Sequence, residues 1–138
     1  MPSDCVFCKI IRKEIPAHIV FEDERSIAFL DQRPLFAGHV LLCPREHHET
    51  IQEIPAELIA PLFANAQILA RAVEKGMQAE GIFVGINNKV SQSVPHLHVH
   101  IVPRRSKDGL RGFFWPRTKY ESDADAARAR DAILAALE

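Results

Sequence analysis

Blocks of apolar and polar residues along the chain predict five strands and one long helix, with a further helix at the C-terminal end. The strand-like runs lie at residues 18–21, 26–30, 39–44, 81–87 and 96–102. Apolar positions over 58–73 recur at helical spacing and Gly76 is a natural stop, while Pro61 leaves the first turn of this helix open. Ser122 and Asp125 resemble a capping box that begins the last helix. Strands joined by short turns, with helices set apart from them, indicate an α+β fold built on an antiparallel sheet.

Length and composition fit one globular domain over residues 1–138. The chain is 47% hydrophobic and 25% charged, which is ordinary for a protein with a single hydrophobic core. A net charge of -1 argues against a general nucleic-acid-binding surface. No uninterrupted apolar run approaches the roughly 18 residues of a membrane span, and the N-terminus lacks the pattern of a signal peptide. We therefore expect a cytoplasmic protein that does not bind membranes.

The stretch SVPHLHVHIVPR, residues 93–104, places His96, His98 and His100 at every second position. Alternate side chains of a strand point to opposite faces, so the three imidazoles would share one face while the apolar residues between them enter the core. Three imidazoles on one face are costly to bury without partners. The pattern indicates either a metal held by all three, or one nucleophile or base whose neighbours hold a phosphate or a metal.

A Cys-x-x-Cys pair lies near the N-terminus, in a short turn or helix that begins at Cys5. Cys5 and Cys8 supply half of a tetrahedral zinc site, and two imidazoles would complete it. His47 or His48 offers one of them, and one end of the histidine run offers the other. Cys43, the third cysteine, is predicted to be a small buried residue.

The motif HLHVHIV over 96–102 resembles the histidine triad motif at all seven positions. The stretch CVFCKIIRKEIPAHIVFEDERSIAFLD, residues 5–31, also resembles the nucleoside phosphoramidase branch of the histidine triad (HIT) family. AGHVLLCPREH, residues 37–47, is similar to the next segment of that branch. The resemblance covers about residues 4–104 and implies a HIT-like domain with a C-terminal extension over 105–138.

This resemblance implies an enzyme that attacks the α-phosphate of purine nucleotide conjugates such as phosphoramidates and adenylylated amines. His98, the middle histidine, matches the nucleophile that forms a nucleotidyl-histidine intermediate, which suits the chemistry of a neutral imidazole. His100 and Ser93 match the groups that contact the α-phosphate. His39 matches a family histidine that lies beside the triad.

The resemblance also implies the residues around the nucleoside. Asn87 matches the asparagine on the phosphate side, with Asn88 as the competing choice, and Asp31 matches the carboxylate that binds the ribose hydroxyls. The positions that match the apolar base pocket are Phe7, Ile10, Ile15, Phe29 and Leu41.

Zinc-containing relatives imply a structural zinc ion. Its ligands in this chain would be Cys5, Cys8, His47 and His96. His47 is preferred to His48 because it follows Pro44 by three residues, as the family pattern requires. The family also implies a homodimer formed through the long helix and the strand near 81–87.

Two departures from the family pattern stand out. The loop NNKVSQS, residues 87–93, is shorter than usual and carries Ser91 where glycine is common. The basic stretch 104–119, with six Lys or Arg against one Asp, extends past the common core and would suit a polyphosphate. Three alternatives therefore stay open: a dinucleoside polyphosphate hydrolase, a non-catalytic nucleotide-binding protein, and a hydrolase with all three triad histidines on one catalytic metal.

Overall fold

The computed structural model describes residues 4–110 and 117–137, and the chain divides into two compact units, Met1–Ser106 and Lys107–Glu138. In chain order the elements are α1 (Val6–Ile11), β1 (Ile19–Glu22), β2 (Ser26–Leu30), β3 (Val40–Pro44), α2 (Ala56–Gly76), β4 (Gly81–Gly85), β5 (Val99–Arg104) and α3 (Asp123–Ala136). The five strands form one antiparallel sheet in the order β1-β2-β3-β5-β4. The predicted α+β fold is confirmed.

Strand β3 separates two hydrophobic clusters. All five of its residues are buried, and successive side chains point to opposite faces of the sheet. Val40 and Leu42 belong to the cluster that α2 covers, whereas Leu41 and Cys43 belong to the cluster that α1 covers. The residues of α2 in the first cluster are Leu62, Ala66, Leu69 and Val73. The candidate site lies on the α1 side.

Helix α2 has the amphipathic character of a core helix. It is long and apolar enough, by length and composition alone, to cross a membrane, but its apolar stripe is buried against the sheet. Pro61 is accommodated within the second turn, and the helix ends at Gly76 as predicted. The left-handed residue that turns the chain is Gln78, with φ 52°, and not the glycine.

The histidine run enters the sheet later than predicted. Strand β5 begins at Val99, and not at His96, because the amide of Leu97 donates to the carbonyl of His48 at 2.7 Å and β4 ends opposite His100. The predicted alternation nevertheless holds. The apolar residue that follows each histidine enters the α2 cluster with no exposed surface: Leu97, Val99 and Ile101.

The C-terminal unit contains the helix that the capping box predicts. The hydroxyl of Ser122 accepts a hydrogen bond from the amide of Asp125 at 3.1 Å. No residue of α3 is buried, and the side chains of Ile133 and Leu134 are exposed. The predicted basic stretch 104–119 lies partly outside the described residues.

Candidate functional site

The four predicted zinc ligands meet at one point below α1. Cys5 is the N-cap of α1, and its sulfur accepts a hydrogen bond from the amide of Cys8, which fixes the turn between the two thiols. The ligand atoms of Cys5, Cys8, His47 and His96 all lie within 4.8 Å of one another. Cys5 Sγ is 3.5 Å from His96 Nδ1, and Cys8 Sγ is 3.3 Å from His47 Nδ1.

These separations fit a tetrahedral zinc ion. Zn–S bonds of about 2.3 Å and Zn–N bonds of about 2.05 Å require about 3.5 Å between sulfur and nitrogen and about 3.3 Å between two nitrogens. The Nδ1 atoms of His47 and His96 are 3.1 Å apart. On the far side of its ring, His96 Nε2 donates to the carbonyl of Pro44 at 2.8 Å, which leaves Nδ1 as a lone pair that faces the thiols.

Burial shapes the titration of this cluster. Burial, with the Cys5 thiol beside it, raises the pKa of Cys8 to about 11, so both the desolvation and the neighbour oppose a bare thiolate. Burial lowers the pKa of His96 to about 4, and its ring is therefore neutral near pH 7. A buried pair of thiols beside two imidazoles is the donor set that a dication stabilises as thiolates.

A cavity of about 700 Å³ opens beside this cluster on the α1 face. Its polar wall contains the predicted phosphate-side and ribose-side groups Ser93, His98, His100 and Asp31. Four of the predicted base-pocket residues line its apolar part: Phe7, Ile10, Phe29 and Leu41. Three predicted residues do not line the cavity. Ile15 packs against the α1 cluster, and His39 contacts His100 through a ring-to-ring hydrogen bond. Asn87 is half-buried in the segment that follows β4.

The imidazole of His98 is held in one orientation. Its Nδ1 donates to the carbonyl of His96 at 2.7 Å, so Nε2 carries the lone pair. The ring of Phe7 packs edge-on against it, with 5.0 Å between centroids. Burial lowers the pKa of His98, which keeps the ring neutral and nucleophilic at neutral pH.

A chain of three hydrogen-bonding groups fixes the proton of His100. The amide of Leu35, which can only donate, lies 3.1 Å from His39 Nδ1. Burial lowers the pKa of His39, so its single ring proton lies on Nε2 and is donated to His100 Nδ1 at 2.9 Å. Burial likewise lowers the pKa of His100 to about 4. The neutral His100 ring therefore carries its proton on Nε2.

Asp31 is oriented by the loop that also carries His39. One carboxylate oxygen accepts the amide of Arg33 at 2.9 Å, and the other lies 3.8 Å from His39 Nε2. The amide of Asp31 donates to the carbonyl of His39 at 3.0 Å, which closes the loop. Asp31, His39 and His100 thus form a second cluster whose ligand atoms lie within 4.8 Å of one another.

Gly38 sets the position of His39 in this loop. Its φ is +92°, and a Cβ there would lie 2.4 Å from Cγ of Met77, at the C-terminal end of α2. Glycine is required for both reasons. The loop therefore packs directly against the C-terminal end of α2.

The structure separates the two candidate asparagines. Asn88 Oδ1 accepts the amide of Ile51 at 2.7 Å, so its side chain is engaged away from the cavity wall. Sequence reasoning missed the backbone partners that set the ring tautomers, the amide of Leu35 and the carbonyl of Pro44, because no residue type encodes them. It also missed further apolar wall residues: Val6, Pro16, Ala17 and Val94.

Comparison with known proteins places this geometry in context. The profile described as the HIT domain matches residues 12–107. The Arabidopsis thaliana protein named Adenylylsulfatase HINT3 is 35% identical over 112 residues, which cover 80% of this chain and 57% of that protein, so the chain spans little more than half its length. The Saccharomyces cerevisiae protein named Adenosine 5'-monophosphoramidase HNT1 is 34% identical over 140 residues, covering 100% of this chain and 85% of that protein.

Solved structures show the same fold. The crystal structure of SMU.412c from Streptococcus mutans UA159 matches with a TM-score of 0.89 and 35% identity, over 100% of this chain and 88% of that one. The crystal structure of a Zn-bound histidine triad family protein from Mycobacterium smegmatis matches with a TM-score of 0.73 and 35% identity, over 98% of both chains.

Proposed function

Because the chain belongs to the HIT domain family, we propose that it is a nucleotide hydrolase or transferase that attacks the α-phosphate of purine nucleotide conjugates. Relatives named for adenylylsulfatase and adenosine monophosphoramidase activity support nucleotide hydrolysis in broad terms. The observation that carries the proposal is the orientation of His98, a neutral imidazole whose Nδ1 is bonded to a carbonyl and whose ring lines the cavity.

In the proposed reaction, Nε2 of His98 forms a bond to the α-phosphorus as the bond from phosphorus to the leaving group breaks. Water then attacks the same phosphorus, the P–N bond breaks, and the nucleoside monophosphate leaves with His98 restored. The bond from His98 Nδ1–H to the carbonyl of His96 stabilises the positive charge that the ring gains in the intermediate.

We propose that two hydrogen-bond donors on the cavity wall stabilise the negative charge on the phosphate oxygens. The Nε2–H of His100, whose tautomer is set by His39, is one, and the hydroxyl of Ser93 is the other. Asn87 is proposed as a third because Asn88 is engaged with Ile51. Each such donor contributes about 100-fold or more to turnover in comparable sites.

The nucleoside is proposed to lie along the rest of the cavity. The rings of Phe7 and Phe29 meet edge-to-face at 5.2 Å between centroids, and they form an apolar wall that suits a purine. Asp31, already oriented by the amide of Arg33, supplies carboxylate oxygens for the ribose hydroxyls. Ile15 supports the wall from behind.

The leaving group decides between related activities. An amine leaving group corresponds to the phosphoramidase activity, which we favour, and sulfate corresponds to the activity in the name of the Arabidopsis relative. A dinucleoside polyphosphate would need cations beyond the α-phosphate. Among the described residues of the basic stretch, Arg104 and Arg105 are not on the cavity wall.

The test is to assay AMP release from adenosine phosphoramidate, adenylyl sulfate and diadenosine polyphosphate, with wild type and His98→Ala. We expect the phosphoramidate to be cleaved, and turnover to fall by at least about 1,000-fold in His98→Ala, since no other group forms the covalent intermediate. An AMP adduct on His98, trapped by rapid denaturation, would support the route. Unchanged turnover in His98→Ala would exclude it, and nucleotide binding without turnover of any substrate would favour the non-catalytic alternative.

The geometry argues against one catalytic metal on all three triad histidines. The Nδ1 of His96 faces the thiols, that of His98 is bonded to a carbonyl, and that of His100 to His39. We propose that a structural zinc ion is held by Cys5, Cys8, His47 and His96, where it would join α1 to the triad segment. Elemental analysis of reduced protein should find one zinc per chain, and zinc-free protein with free thiols would exclude this.

For assembly, we propose a homodimer formed through β4 and the outer face of α2. β4 is an edge strand of the sheet, and Val84 is 40% exposed on it. On α2 the large exposed apolar side chains are Ile59, Phe63 and Ile68. Sedimentation at micromolar concentration should give a dimer, and Val84→Glu with Ile68→Glu should give a monomer. A monomeric wild type would exclude the interface.

A further inference from the structure

The turn at residues 88–93, which leads into the cavity residue Ser93, has an unfavourable backbone. Lys89 and Ser91 both adopt positive φ, 73° and 64°, without being glycines. Such residues cost about 1 kcal/mol or more each and persist only where their surroundings hold them. The short loop without glycine therefore needs an external support.

Gln92 supplies part of that support. It is half-buried between the exposed residues Ser91 and Ser93, so its side chain turns inward. Its Oε1 accepts the amide of Lys89 at 2.9 Å, and its Nε2 donates to the carbonyl of Glu49 at 2.6 Å. One side chain thus closes the turn on itself and fastens it to a second segment.

That second segment, residues 47–51, holds the chain around the turn at two further points. Its Ile51 amide donates to Asn88 Oδ1 at 2.7 Å, and its His48 carbonyl accepts the amide of Leu97 at 2.7 Å. The segment begins at the zinc-ligand candidate His47. The phosphate-side turn and the metal cluster are therefore attached to the same short piece of backbone.

We propose that Asn88 and Gln92 are positioning residues for phosphate binding, which hold Ser93 in place by fastening the 88–93 turn to the 47–51 segment. The inference rests on the proposed function for the role of Ser93. It assigns no substrate contact to either residue. It adds that the metal cluster and the phosphate site are attached to the same segment, residues 47–51. A change in the order of this segment should therefore change the order of the 88–93 turn.

The test compares two ligands of zinc-loaded protein. AMP fills both the apolar wall and the phosphate side, whereas adenosine lacks the phosphate. Gln92→Met keeps the side-chain length but removes both hydrogen bonds, and Asn88→Ala removes the bond to Ile51. Each should weaken AMP binding about tenfold, less than outright loss of a phosphate donor, and leave adenosine binding within about twofold. Val90→Ala, at a residue 82% exposed in the same turn, is the matched control and should match wild type.

Hydrogen exchange supplies a readout that does not depend on any ligand. Exchange of the amides over 88–93 should be faster in Gln92→Met, at unchanged zinc content. Removal of zinc should accelerate hydrogen exchange of the same amides in wild type. It should have little further effect in Gln92→Met, because the hydrogen bonds that join the turn to the 47–51 segment are already lost. Equal loss of AMP and adenosine, or unchanged AMP affinity and exchange, would overturn the proposal. If wild type binds no AMP, the proposed function fails, and the exchange result alone decides this inference.

Discussion

Two clusters on the α1 face each bring potential metal ligands together, yet their hydrogen bonds equip them for different tasks. In one, Cys5, Cys8, His47 and His96 bring their ligand atoms within 4.8 Å; in the other, Asp31, His39 and His100 do the same. What differs is the partner on the far side of each ring. A carbonyl accepts from His96 Nε2, whereas an amide donates to His39 Nδ1.

The consequence is opposite for the ring nitrogen that faces the cluster. The carbonyl of Pro44 draws the His96 proton outward, which leaves a lone pair pointing at the thiols and ready for a metal. The amide of Leu35 forces the His39 proton inward, where it is donated to His100. Proximity of ligand atoms is thus a poor guide to metal binding unless the outer hydrogen bond is read as well.

The largest expected effect is the difference between mutations in the two clusters. His96→Ala should lose the zinc ion and lower the melting temperature by at least about 5 °C, because a structural metal contributes folding free energy directly. His100→Ala should keep one zinc per chain and lose most turnover. Zinc content and thermal melts of both variants check this, and equal zinc loss in the two would remove the distinction between the clusters.

A smaller effect is expected from the hydrogen-bond relay that runs from the amide of Leu35 through His39 to His100. His39→Ala removes the donor that fixes the His100 tautomer, so kcat should fall about 10- to 100-fold while zinc content stays unchanged. The control is His39→Gln, whose amide nitrogen can restore a donor to His100 Nδ1 and should recover part of the rate. A cobalt titration that fills a second site in wild type, with Asp31 and His39 as ligands, would contradict the relay.

A weaker signature lies in the pH dependence of stability. Burial lowers the pKa of His100 from 6.5 to about 4, so the unfolded chain takes up a proton first as the pH falls. The contribution of His100 is complete above pH 6.5 and declines as the pH falls toward 4. Melting temperatures from pH 8 to 5 should therefore fall less steeply in His100→Asn than in wild type. Parallel curves would show that this histidine is not held neutral.

The smallest effect concerns the third thiol. Cys43 is fully buried close to the first cluster, and burial raises its pKa far above the ordinary thiol range. Cys43→Ala should keep one zinc per chain and lower the free energy of unfolding by about 1 kcal/mol, as a small core truncation does. Elemental analysis and chemical denaturation measure both. A loss of zinc in this variant would make Cys43 part of the metal site.

The fold was predictable because it depends on the spacing of apolar residues and on the residues that begin and end the elements. An uninterrupted apolar run identified β3, alternation identified the histidine run, and the Ser122 cap located α3. The start of β5 was predicted three residues too early, since the amide of Leu97 takes a partner outside the sheet, which residue type cannot announce. The left-handed turn at Gln78 after α2 was equally invisible.

The candidate site was predictable as a set of side chains but not as a set of protonation states. The motif and the resemblance named the four metal-ligand candidates and half of the cavity wall. The lone pair on His96 depends on the carbonyl of Pro44, which any residue would supply. The proton on His100 depends on the amide of Leu35, which any residue except proline would supply. The hydrogen bond from Gln92 to the 47–51 segment was also missed, because its acceptor is a backbone group, the carbonyl of Glu49.

The position of β3 between the two hydrophobic clusters has a consequence for how the cavity of this protein can change. Leu41 faces the cavity, while its neighbours Val40 and Leu42 face α2. A substitution at Leu41 therefore reshapes the cavity wall without removing a contact from the core under α2. The cavity wall and the core under α2 are thus encoded on alternate residues of one strand, so a substitution can alter the first and leave the second unchanged.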